Sequence, residues 1–384
     1  MIIWGGKVLD ASFTFVDRDL GTDGTMIAGL YASAGRPGGQ AGDTIEATGC
    51  YVVPGFIDIH THGCDACDAG DGSYQSLNTM SKYYAAHGVT TFLATTSTIS
   101  FEALEQAAKS VKQAMEQGTD GANVGGMHME GPYFSYAYKG AQNPAYLRDP
   151  SVEEFDSINA ASGGAVRLIS LAPEREGALE FIRAVKDRVA VAMGHTDADY
   201  ERARAAIDAG ATVLTHTFNA MRPLKHRDPN AIGAALEDER VFCESITDGI
   251  HLHPAIIRLL YRMVGPERMV LISDSLCAAG MADGQYELGG LQFYVKNGRA
   301  TLPDGTIAGS TANLHLCVKK VVEFGIPLEH AVRLASWNPA RAVGLDAITG
   351  RIEPGKRADL LLLDQKTLDI RGVIVNGRRI GKDR

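Results

Sequence analysis

Two histidines that stand two residues apart are the first feature of this sequence that could do chemistry. His60 and His62 lie in the stretch GFIDIHTHG, where an apolar run ends. Residues two apart in a strand point to the same side, and two imidazoles on one side can chelate one divalent cation. The spacing therefore predicts a metal site with His60 and His62 as ligands. The alternative is that one of them is a hydrogen-bonded core histidine.

Three further candidate ligands also follow short apolar runs. Glu130 stands in HMEGPYF, His195 in AMGHTDAD and His216 in LTHTFNAM. Burying a carboxylate is costly unless a cation compensates its charge, and imidazole is the commonest metal ligand. We therefore predict that these three residues complete the metal site, with an ion pair to lysine or arginine as the alternative for Glu130. His128 lies deeper in the same run, where we expect it to belong to the core or to support the ligands.

Asp274, in LISDS, is the candidate proton carrier. A carboxylate beside a bound cation can accept a proton from the attacking water and return it later. The alternative role for an aspartate at the end of an apolar run is that of a helix N-cap.

The cysteines predict no second metal site. Cys64 and Cys67 form a CxxC pair, but a zinc knuckle needs another pair, and the remaining cysteines are scattered along the chain. We therefore interpret them as structural thiols.

These candidate residues must be positioned by the elements that carry them. Eight apolar runs alternate with amphipathic, helix-like segments, which is typical of parallel βα units. The runs are VVPGFIDIH, VTTFLATTS, NVGGMHME, VRLISLAP, VAVAMGH, ATVLTHT, VFCESITD and RMVLISDS. They predict an α/β fold with a (β/α)8 TIM-type barrel over residues 54–345, because barrel enzymes place their active-site residues at the C-terminal ends of strands. An open doubly wound sheet is the alternative, but its glycine-rich phosphate turn is missing.

Both chain ends differ from the middle. Residues 1–53 and 346–384 consist of short alternating stretches separated by glycine-rich turns, and Asn376-Gly377 is a strong hairpin signal. We predict that the two ends form one small β-sandwich domain.

The composition excludes several classes of partner. Among 384 residues, 37 lysines and arginines stand against 46 acids, so the net charge is −9. Such a surface disfavours nucleic acid and anionic lipid. No apolar run is long enough for a membrane span, and Lys7 and Asp10 come too early for a secretory signal. We expect a cytoplasmic protein that acts on a small molecule and binds neither nucleic acid nor membrane.

Taken together and in order, the motifs resemble one family. PGFIDIHTHG, HMEGPYF, LAPE, GHTDAD, THTFNAM, DGIH, SDS and DGTIAGST resemble the N-acetylglucosamine-6-phosphate deacetylases of the amidohydrolase superfamily. The resemblance runs from about residue 50 to GRIEPGKRADLLLLD. It implies a metal-dependent barrel with a small β-sandwich made from both termini, and a homodimer.

The resemblance also implies roles for individual residues. Glu130, His195 and His216 would ligate metal, and Asp274 would be the acid and base. Because both His60 and His62 are kept, a binuclear site is implied. The run VRLISLAP lacks the lysine that many amidohydrolases carboxylate, so Glu130 would bridge instead.

The implied substrate contacts are Asn219, Ala220, Arg227 and His251. Arg227 belongs to a cluster of basic residues that a phosphomonoester would require, although a solvated run of charges is the alternative; the others are Arg222, Lys225 and His226. Gln142 stands where some family members have a histidine, and an amide N–H there could contact the substrate carbonyl.

The predicted reaction is metal-dependent removal of the N-acetyl group from N-acetylglucosamine 6-phosphate, which gives glucosamine 6-phosphate and acetate in amino-sugar catabolism. Alternatives are N-acetylgalactosamine 6-phosphate as substrate, another amidohydrolase reaction on a cyclic amide or dipeptide-like substrate, and a metal-free scaffold without activity. One or two divalent cations are expected per chain, and the ligands suit Zn, Fe, Mn and Co alike.

Overall fold

The structure, a computed structural model, describes residues 1–33 and 44–381. Its N-terminal part consists of short strands separated by turns: β1 (Ile2–Trp4), β2 (Lys7–Leu9), β3 (Phe15–Asp23), β4 (Met26–Ala32), β5 (Thr44–Glu46) and β6 (Cys50–Pro54). Residues 34–43 of the predicted N-terminal strand region, and residues 382–384 at the other end, lie outside the described residues.

A parallel barrel follows. It begins with β7 (Phe56–Thr61), which a small hairpin of β8 (Gly63–Cys64) and β9 (Cys67–Asp68) follows directly. The remaining barrel strands are β10 (Val89–Thr96), β11 (Asn123–Glu130), β12 (Val166–Leu171), β13 (Ala190–Met193), β14 (Val213–Leu214), β15 (Phe242–Ile246) and β16 (Met269–Ile272). These eight strands pair in chain order. The Asp274 N–H donates to the His60 carbonyl oxygen over 2.9 Å, which links the last strand to the first. The predicted (β/α)8 barrel is confirmed, and the open doubly wound sheet is wrong.

One predicted strand is two strands in the structure. The run VVPGFIDIH is divided at Gly55, so that β6 belongs to the terminal sheet and β7 to the barrel. A Cβ atom at Gly55 would lie 2.1 Å from Thr90 Oγ1, so only glycine lets the chain pass this close to β10. The prediction failed here because apolar character continues across the junction.

Helices surround the barrel. They are α1 (Tyr74–Ala86), α2 (Phe101–Gln117), α3 (Val152–Ala161), α4 (Ala178–Val185), α5 (Tyr200–Ala209), α6 (Asn230–Glu237), α7 (Pro254–Arg268), α8 (Leu314–Glu323), α9 (Leu328–Ala335) and α10 (Trp337–Ala342). The amphipathic segments of the sequence correspond to α2, α4, α5 and α7. Helix α2 shows why: Ser100 caps it by accepting from the Ala103 N–H, and Leu104, Ala108 and Val111 share one buried face. None of the described helices is both long and apolar enough to cross a membrane.

Two antiparallel arrangements complete the fold. Strands β17 (Gly284–Leu288), β18 (Leu291–Lys296), β19 (Arg299–Thr301) and β20 (Ile307–Ser310) form a four-stranded sheet after the last barrel strand. Strands β21 (Leu360–Asp364), β22 (Ile370–Val375) and β23 (Arg378–Ile380) return to the N-terminal strands. The terminal sheet then has the order β23-β22-β21-β6-β2-β3-β1-β5, with β4 beside β3. Both ends of the chain therefore share a sheet, and the division into two domains with the bounds given above stays a prediction.

An apolar cluster fills the barrel. Side chains from non-adjacent strands meet in it, among them Leu93, Leu168, Val213, Ile246 and Val270, which only the barrel interior can bring together. The barrel is therefore a packed core.

Candidate metal centre and active site

The six predicted catalytic and metal-binding residues come together at the C-terminal end of the barrel. Their side chains are all at least nine-tenths buried, and they stand at or just after the ends of five strands: His60 and His62 at β7, Glu130 at β11, His195 after β13, His216 after β14 and Asp274 after β16. His195, His216 and Asp274 have φ angles of 46°, 25° and 49°, a region that residues other than glycine rarely adopt. This strain sits where the chain leaves its strand, as is common at active sites.

Glu130, His195 and His216 form one candidate metal group. Glu130 Oε1 lies 3.1 Å from His195 Nε2 and 3.2 Å from His216 Nε2. The two Nε2 atoms are only 3.0 Å apart. Lysine or arginine does not pair with Glu130 among the described residues, so the ion-pair alternative for Glu130 is wrong.

His60, His62 and Asp274 form a second candidate group. Asp274 Oδ1 lies 3.3 Å from His62 Nε2 and 3.6 Å from His60 Nε2. In each group the possible ligand atoms lie within 4.8 Å of one another. The next helix after Asp274 begins only at Leu314, so the helix-cap alternative for Asp274 is wrong.

Glu130 joins the two groups. Besides its contacts with His195 and His216, Glu130 Oε1 is 3.3 Å from His60 Nε2, and its Oε2 is 3.3 Å from His62 Nε2. A carboxylate with one oxygen toward each side can bridge two cations, so the arrangement has the form of a binuclear site.

The tautomers of the rings show that a cation suits these groups. His195 Nδ1 lies 3.0 Å from the carbonyl oxygen of Tyr138, which can only accept, so Nδ1 carries the proton of the neutral ring. His195 Nε2 is then a bare lone pair directed at Glu130. His60 Nε2 is buried, has no hydrogen-bond partner within residues 1–33 and 44–381, and lies near two carboxylates. Lone pairs that face carboxylate oxygens are stabilised by a divalent cation between them, and both groups could therefore hold one.

The histidines around them keep both carboxylates ionised. Burial would raise the pKa of Glu130, but the neighbouring His60, His195 and His216 outweigh burial and hold this pKa well below its usual range. The pKa of Asp274 is lowered in the same way, because His60 and His62 outweigh burial. At neutral pH both groups are anionic acceptors, as metal ligation and proton transfer require.

His128 lies below both groups, where the sequence suggested a core or supporting position. Its Nε2 is 2.8 Å from Ser170 Oγ, and its ring meets the edge of the His60 ring at 4.6 Å. Burial and the neighbouring His60 hold its pKa well below the usual value, so His128 is neutral. It packs against a candidate ligand and does not join either group.

A cavity of about 270 Å³ opens above the candidate metal groups. Four of the five predicted substrate contacts line it: Gln142, Asn219, Ala220 and His251. The lining also includes Leu288 and residues 306–309, which belong to the four-stranded sheet or directly precede its last strand. The cavity size and its mixed polar and apolar lining suit a small polar molecule.

The fifth predicted contact, Arg227, is placed elsewhere. It is exposed on the loop between β14 and α6 and does not line the cavity. Arg222 from the same cluster lies 3.6 Å from Asp197 and 3.7 Å from Asp228, so part of the basic charge is balanced locally.

Gln142 is held rigidly at the edge of the cavity. Its Oε1 accepts from the Thr98 N–H over 2.7 Å, and its Nε2 donates to Glu130 Oε2 over 2.5 Å. Two fixed bonds decide which way the amide faces, so its N–H2 group points toward the metal groups. The second hydrogen of Nε2 remains for a ligand.

His251 is oriented by Asp248. The Asp248 carboxylate accepts from the backbone N–H groups of Ile250 and His251 and lies 2.8 Å from His251 Nδ1. The ring therefore keeps Nδ1 protonated against Asp248 and presents Nε2 to the cavity. Sequence reasoning missed the role of Asp248, although this residue is the first of the DGIH motif.

Sequence reasoning also missed two buried carboxylates beside the metal groups, Glu244 and Asp58. Glu244 is fully buried in β15 and lies 3.0 Å from His60 Nδ1. Asp58 accepts from the backbone of His60 and Ser273, and burial raises its pKa to about 7. The available signal was a carboxylate inside an apolar run, which is the same signal that identified Glu130.

The CxxC pair is separate from the metal groups. Cys64 and Cys67 are cross-strand neighbours in the β8–β9 hairpin, and both thiols are free. Burial raises the pKa of both, so they are protonated at neutral pH. Neither candidate metal group contains a cysteine.

Comparisons with known proteins agree with this geometry. The model of the amidohydrolase family matches residues 51–380. The chain is 40% identical to the N-acetylglucosamine-6-phosphate deacetylase of Vibrio furnissii, over 89% of this chain and 86% of that protein. It is also 40% identical to an N-acetylgalactosamine-6-phosphate deacetylase of Escherichia coli O157:H7, over 82% of this chain and 83% of that one.

Solved structures show the same fold. A variant of the N-acetyl-D-glucosamine-6-phosphate deacetylase of Mycobacterium smegmatis, solved in complex with N-acetyl-D-glucosamine-6-phosphate, superposes with a TM-score of 0.92 at 37% identity, covering 100% of this chain and 99% of that one. The motif-based resemblance is thus confirmed over nearly the whole chain: the protein belongs to the amidohydrolase family, within its group of N-acetylglucosamine-6-phosphate deacetylases.

Proposed function

We propose that the protein hydrolyses the acetamide bond of N-acetylglucosamine 6-phosphate and releases glucosamine 6-phosphate and acetate, as a cytoplasmic enzyme of amino-sugar catabolism. The observation that carries the proposal is the pair of metal groups that share Glu130 beneath a small cavity, with Asp274 at their edge. The deacetylases to which the chain is similar support the choice of substrate.

Each of the two groups would hold a divalent cation, so that the chain binds one or two. His195, His216 and Glu130 would ligate the first, and His60, His62 and Asp274 the second. Imidazole and carboxylate ligands accept Zn, Fe, Mn and Co, so the identity of the metal rests on measurement. When bound, the cation supplies Lewis-acid chemistry, because it polarises a carbonyl group and lowers the pKa of water toward about 7.

Asp274 would move the proton. Its carboxylate is anionic and lines the cavity above the metal groups. There it would accept a proton from the attacking water and then donate it to the departing amine. One carboxylate can serve as base and then acid because the tetrahedral intermediate stays in place between the two transfers.

The cavity residues would orient the acetamide and the sugar. The free hydrogen on Gln142 Nε2 can donate to the carbonyl oxygen as negative charge develops on it, and the unprotonated His251 Nε2 can accept from a hydroxyl group of the sugar. Asn219 donates its Nδ2 to the carbonyl oxygens of His216 and Thr217, which leaves Oδ1 and the neighbouring Ala220 backbone for the sugar.

Arg227 would bind the 6-phosphate. Asn219 and Ala220 of the same loop line the cavity, but Arg227 itself does not, so it reaches the phosphate after a movement of this part of the loop or from the second subunit of a homodimer, which we also propose. Arginine suits this role because its planar fork matches phosphate oxygens.

N-acetylgalactosamine 6-phosphate is the second candidate substrate. The 40% identity to the N-acetylgalactosamine-6-phosphate deacetylase of Escherichia coli O157:H7 favours it, and the two sugars differ only in configuration at C4. A single side chain near C4 would decide between them.

Acetate release from a panel of substrates tests the proposal. The panel contains the 6-phosphates of N-acetylglucosamine and N-acetylgalactosamine and the two unphosphorylated sugars, with Asp274→Asn as a matched inactive control. We expect the highest kcat/KM for N-acetylglucosamine 6-phosphate. Absence of acetate from every phosphorylated sugar, in protein loaded with Zn²⁺, would reject the proposed reaction and favour an inactive scaffold.

A further inference from the structure

Glu244 is a buried carboxylate whose charge the reaction proposed above does not use. It lies in the middle of β15 with no exposed surface. Within residues 1–33 and 44–381 its only ion-pair partner is His60, and neither lysine nor arginine approaches it. An uncompensated carboxylate is expensive to bury, so its position calls for a nearby positive charge.

The contacts of Glu244 are directed at the metal groups. Its Oε2 lies 3.0 Å from His60 Nδ1 and accepts from the His216 N–H over 3.1 Å. Its Oε1 is buried without a partner. One oxygen therefore supports a candidate ligand from each group, and among the described residues the side chain makes no other hydrogen bond.

The bond to Glu244 determines which nitrogen of His60 is free. Because a carboxylate accepts the Nδ1 proton, the neutral ring presents a bare Nε2 on its other side. That Nε2 lies 3.3 Å from Glu130 and 3.6 Å from Asp274, which is where a cation would lie. A carboxylate behind a ligating imidazole fixes its tautomer and strengthens it as a donor.

The other candidate ligands lack such support. His195 Nδ1 faces the Tyr138 carbonyl, and His62 Nδ1 lies 3.3 Å from Ser97 Oγ. His216 Nδ1 is buried and has no hydrogen-bond partner in the described part of the chain. Among the four imidazoles of the described groups, His60 alone has a negative charge behind it.

The charge balance points in the same direction. Glu130, Asp274 and Glu244 are three buried carboxylates around imidazoles, which ligate a metal only in their neutral form. A single divalent cation would leave one carboxylate charge uncompensated, whereas a second cation at the His60 side would compensate it.

We propose that Glu244 is a positioning residue that holds His60 with Nε2 toward the His60–His62–Asp274 group and thereby gives the chain its second divalent cation. The inference rests on the metal-binding part of the proposed function. It concerns occupancy of one group and does not depend on which sugar is the substrate.

Zn²⁺ binding to the full-length chain tests it without substrate. Glu244→Gln keeps the volume and one acceptor oxygen but removes the charge, and Ser245→Ala is the matched control at the next position, which is also buried and unpartnered. Zn²⁺ content and competition with a chromophoric chelator are measured for each. We expect the wild type to bind one Zn²⁺ in each group. In Glu244→Gln the Kd of the weaker ion should rise by about 10–100-fold, the tighter ion should remain, and Ser245→Ala should match the wild type.

A variant of the ligand itself separates positioning from general stability. His60→Asn should also lose the weaker ion, and adding Glu244→Gln to it should cost nothing further, because Glu244 acts through His60. Unchanged Zn²⁺ affinity in Glu244→Gln would overturn the proposal, as would losses that add in the double variant. A wild type that binds a single Zn²⁺ would overturn it too. The proposal would also be overturned if Glu244→Gln lowered the unfolding temperature of the metal-free protein as much as that of the metal-loaded protein, because this result would mark a structural role. If two ions bind but no sugar is deacetylated, the proposed reaction fails while the role of Glu244 stands.

Discussion

Carboxylates at the two ends of the barrel have opposite partners. At the C-terminal end, Glu130 and Asp274 face histidines across distances of 3.1–3.6 Å. At the N-terminal end, Asp359 is buried against Arg357 and also accepts from Thr349 and the Asn376 N–H. The residue type is the same, but one set lacks a permanent cation and the other has an arginine.

The difference separates chemistry from stability. An arginine neutralises Asp359 near the starts of β7 and β10, where Arg357 also reaches Thr91 and Gly55 donates to the Asp359 carbonyl. Asp359 can therefore do nothing but hold the terminal sheet to the barrel. The carboxylates at the opposite end keep acceptor capacity for a cation, a proton or a substrate, as barrel enzymes require at that end.

Metal removal should have the largest effect on activity and should act on the C-terminal end of the barrel alone. Chelation should abolish acetate release, because both the polarised carbonyl and the acidified water depend on the cation, and added Zn²⁺ should restore it. Acetate release and metal content are measured together, and unfolding by urea serves as the control for the other end. Full turnover by protein shown to be free of metal would contradict the assignment of the two groups.

Asp274→Asn should have the next largest effect. The amide keeps the shape and can still donate and accept hydrogen bonds, but it cannot take a proton from water. We expect kcat to fall by about 10²–10⁴-fold, with little change in KM. Steady-state kinetics with measured metal content checks the prediction. A normal kcat at normal metal content would remove Asp274 from the reaction.

Asp359→Ala should reverse this pattern. Loss of the carboxylate leaves Arg357 without its partner at a mostly buried position, and we expect a loss of about 3 kcal/mol in the free energy of unfolding. The folded fraction should keep nearly normal kcat, because the substitution lies at the other end of the barrel. Urea unfolding and kinetics are compared on the same preparation. A large fall in kcat with unchanged stability would break the separation between the two ends.

Arg227→Ala tests phosphate binding beside the cavity, and we expect a smaller effect on activity. Loss of a charged hydrogen bond to phosphate should cost about 1.5–3 kcal/mol, which appears as a higher KM for the phosphorylated sugar. Turnover of the unphosphorylated sugar should change little. Equal losses on both substrates would mean that the loop contributes structure and does not read the phosphate. Mixing the Arg227→Ala and Asp274→Asn variants would show whether Arg227 acts across subunits. Activity would return in a mixed dimer only if one active site takes Asp274 from one subunit and Arg227 from the other.

Asp238→Asn should have the smallest effect, which should appear as a change in how the stability of the protein depends on pH. Hydrogen bonds from Arg240, at 2.7 and 2.9 Å, and from Arg204 hold its pKa well below the usual value. A carboxylate with a lowered folded pKa stabilises the protein above its unfolded pKa of about 4 and loses that contribution as pH falls through the folded pKa. Wild type should therefore exceed Asp238→Asn in stability at pH 7, by about 1 kcal/mol or less, and the difference should shrink below pH 4. A difference that grows in acid would contradict the sign.

Much of the site was predictable because strands in a barrel end at one face. Once GFIDIHTHG, HMEGPYF, GHTDAD, THTFNAM and LISDS were assigned to strand ends, their polar residues had to meet there, and the structure brings all six together. Gln142 and His251 could be placed only through the family resemblance, since no periodicity marks them. Glu244 was missed because its partner His60 stands 184 residues away in the sequence. Asp248 stands only three residues before His251, and its contact was missed because no apolar pattern shows which way its side chain turns.

The sequence alone determined the alternation of strands and helices, the ligand types and the order in which they appear, because these depend on local apolar patterns and on residue chemistry. Only the tertiary structure decided that Glu130 contacts all four histidines and that Gln142 is held by hydrogen bonds to Thr98 and Glu130. It also decided that Arg227 lies outside the cavity that the other predicted substrate contacts line. The physical reason is that barrel closure and loop paths set distances between distant segments. Tautomers, charge balance and access to the cavity all follow from those distances, and a local sequence pattern does not contain them.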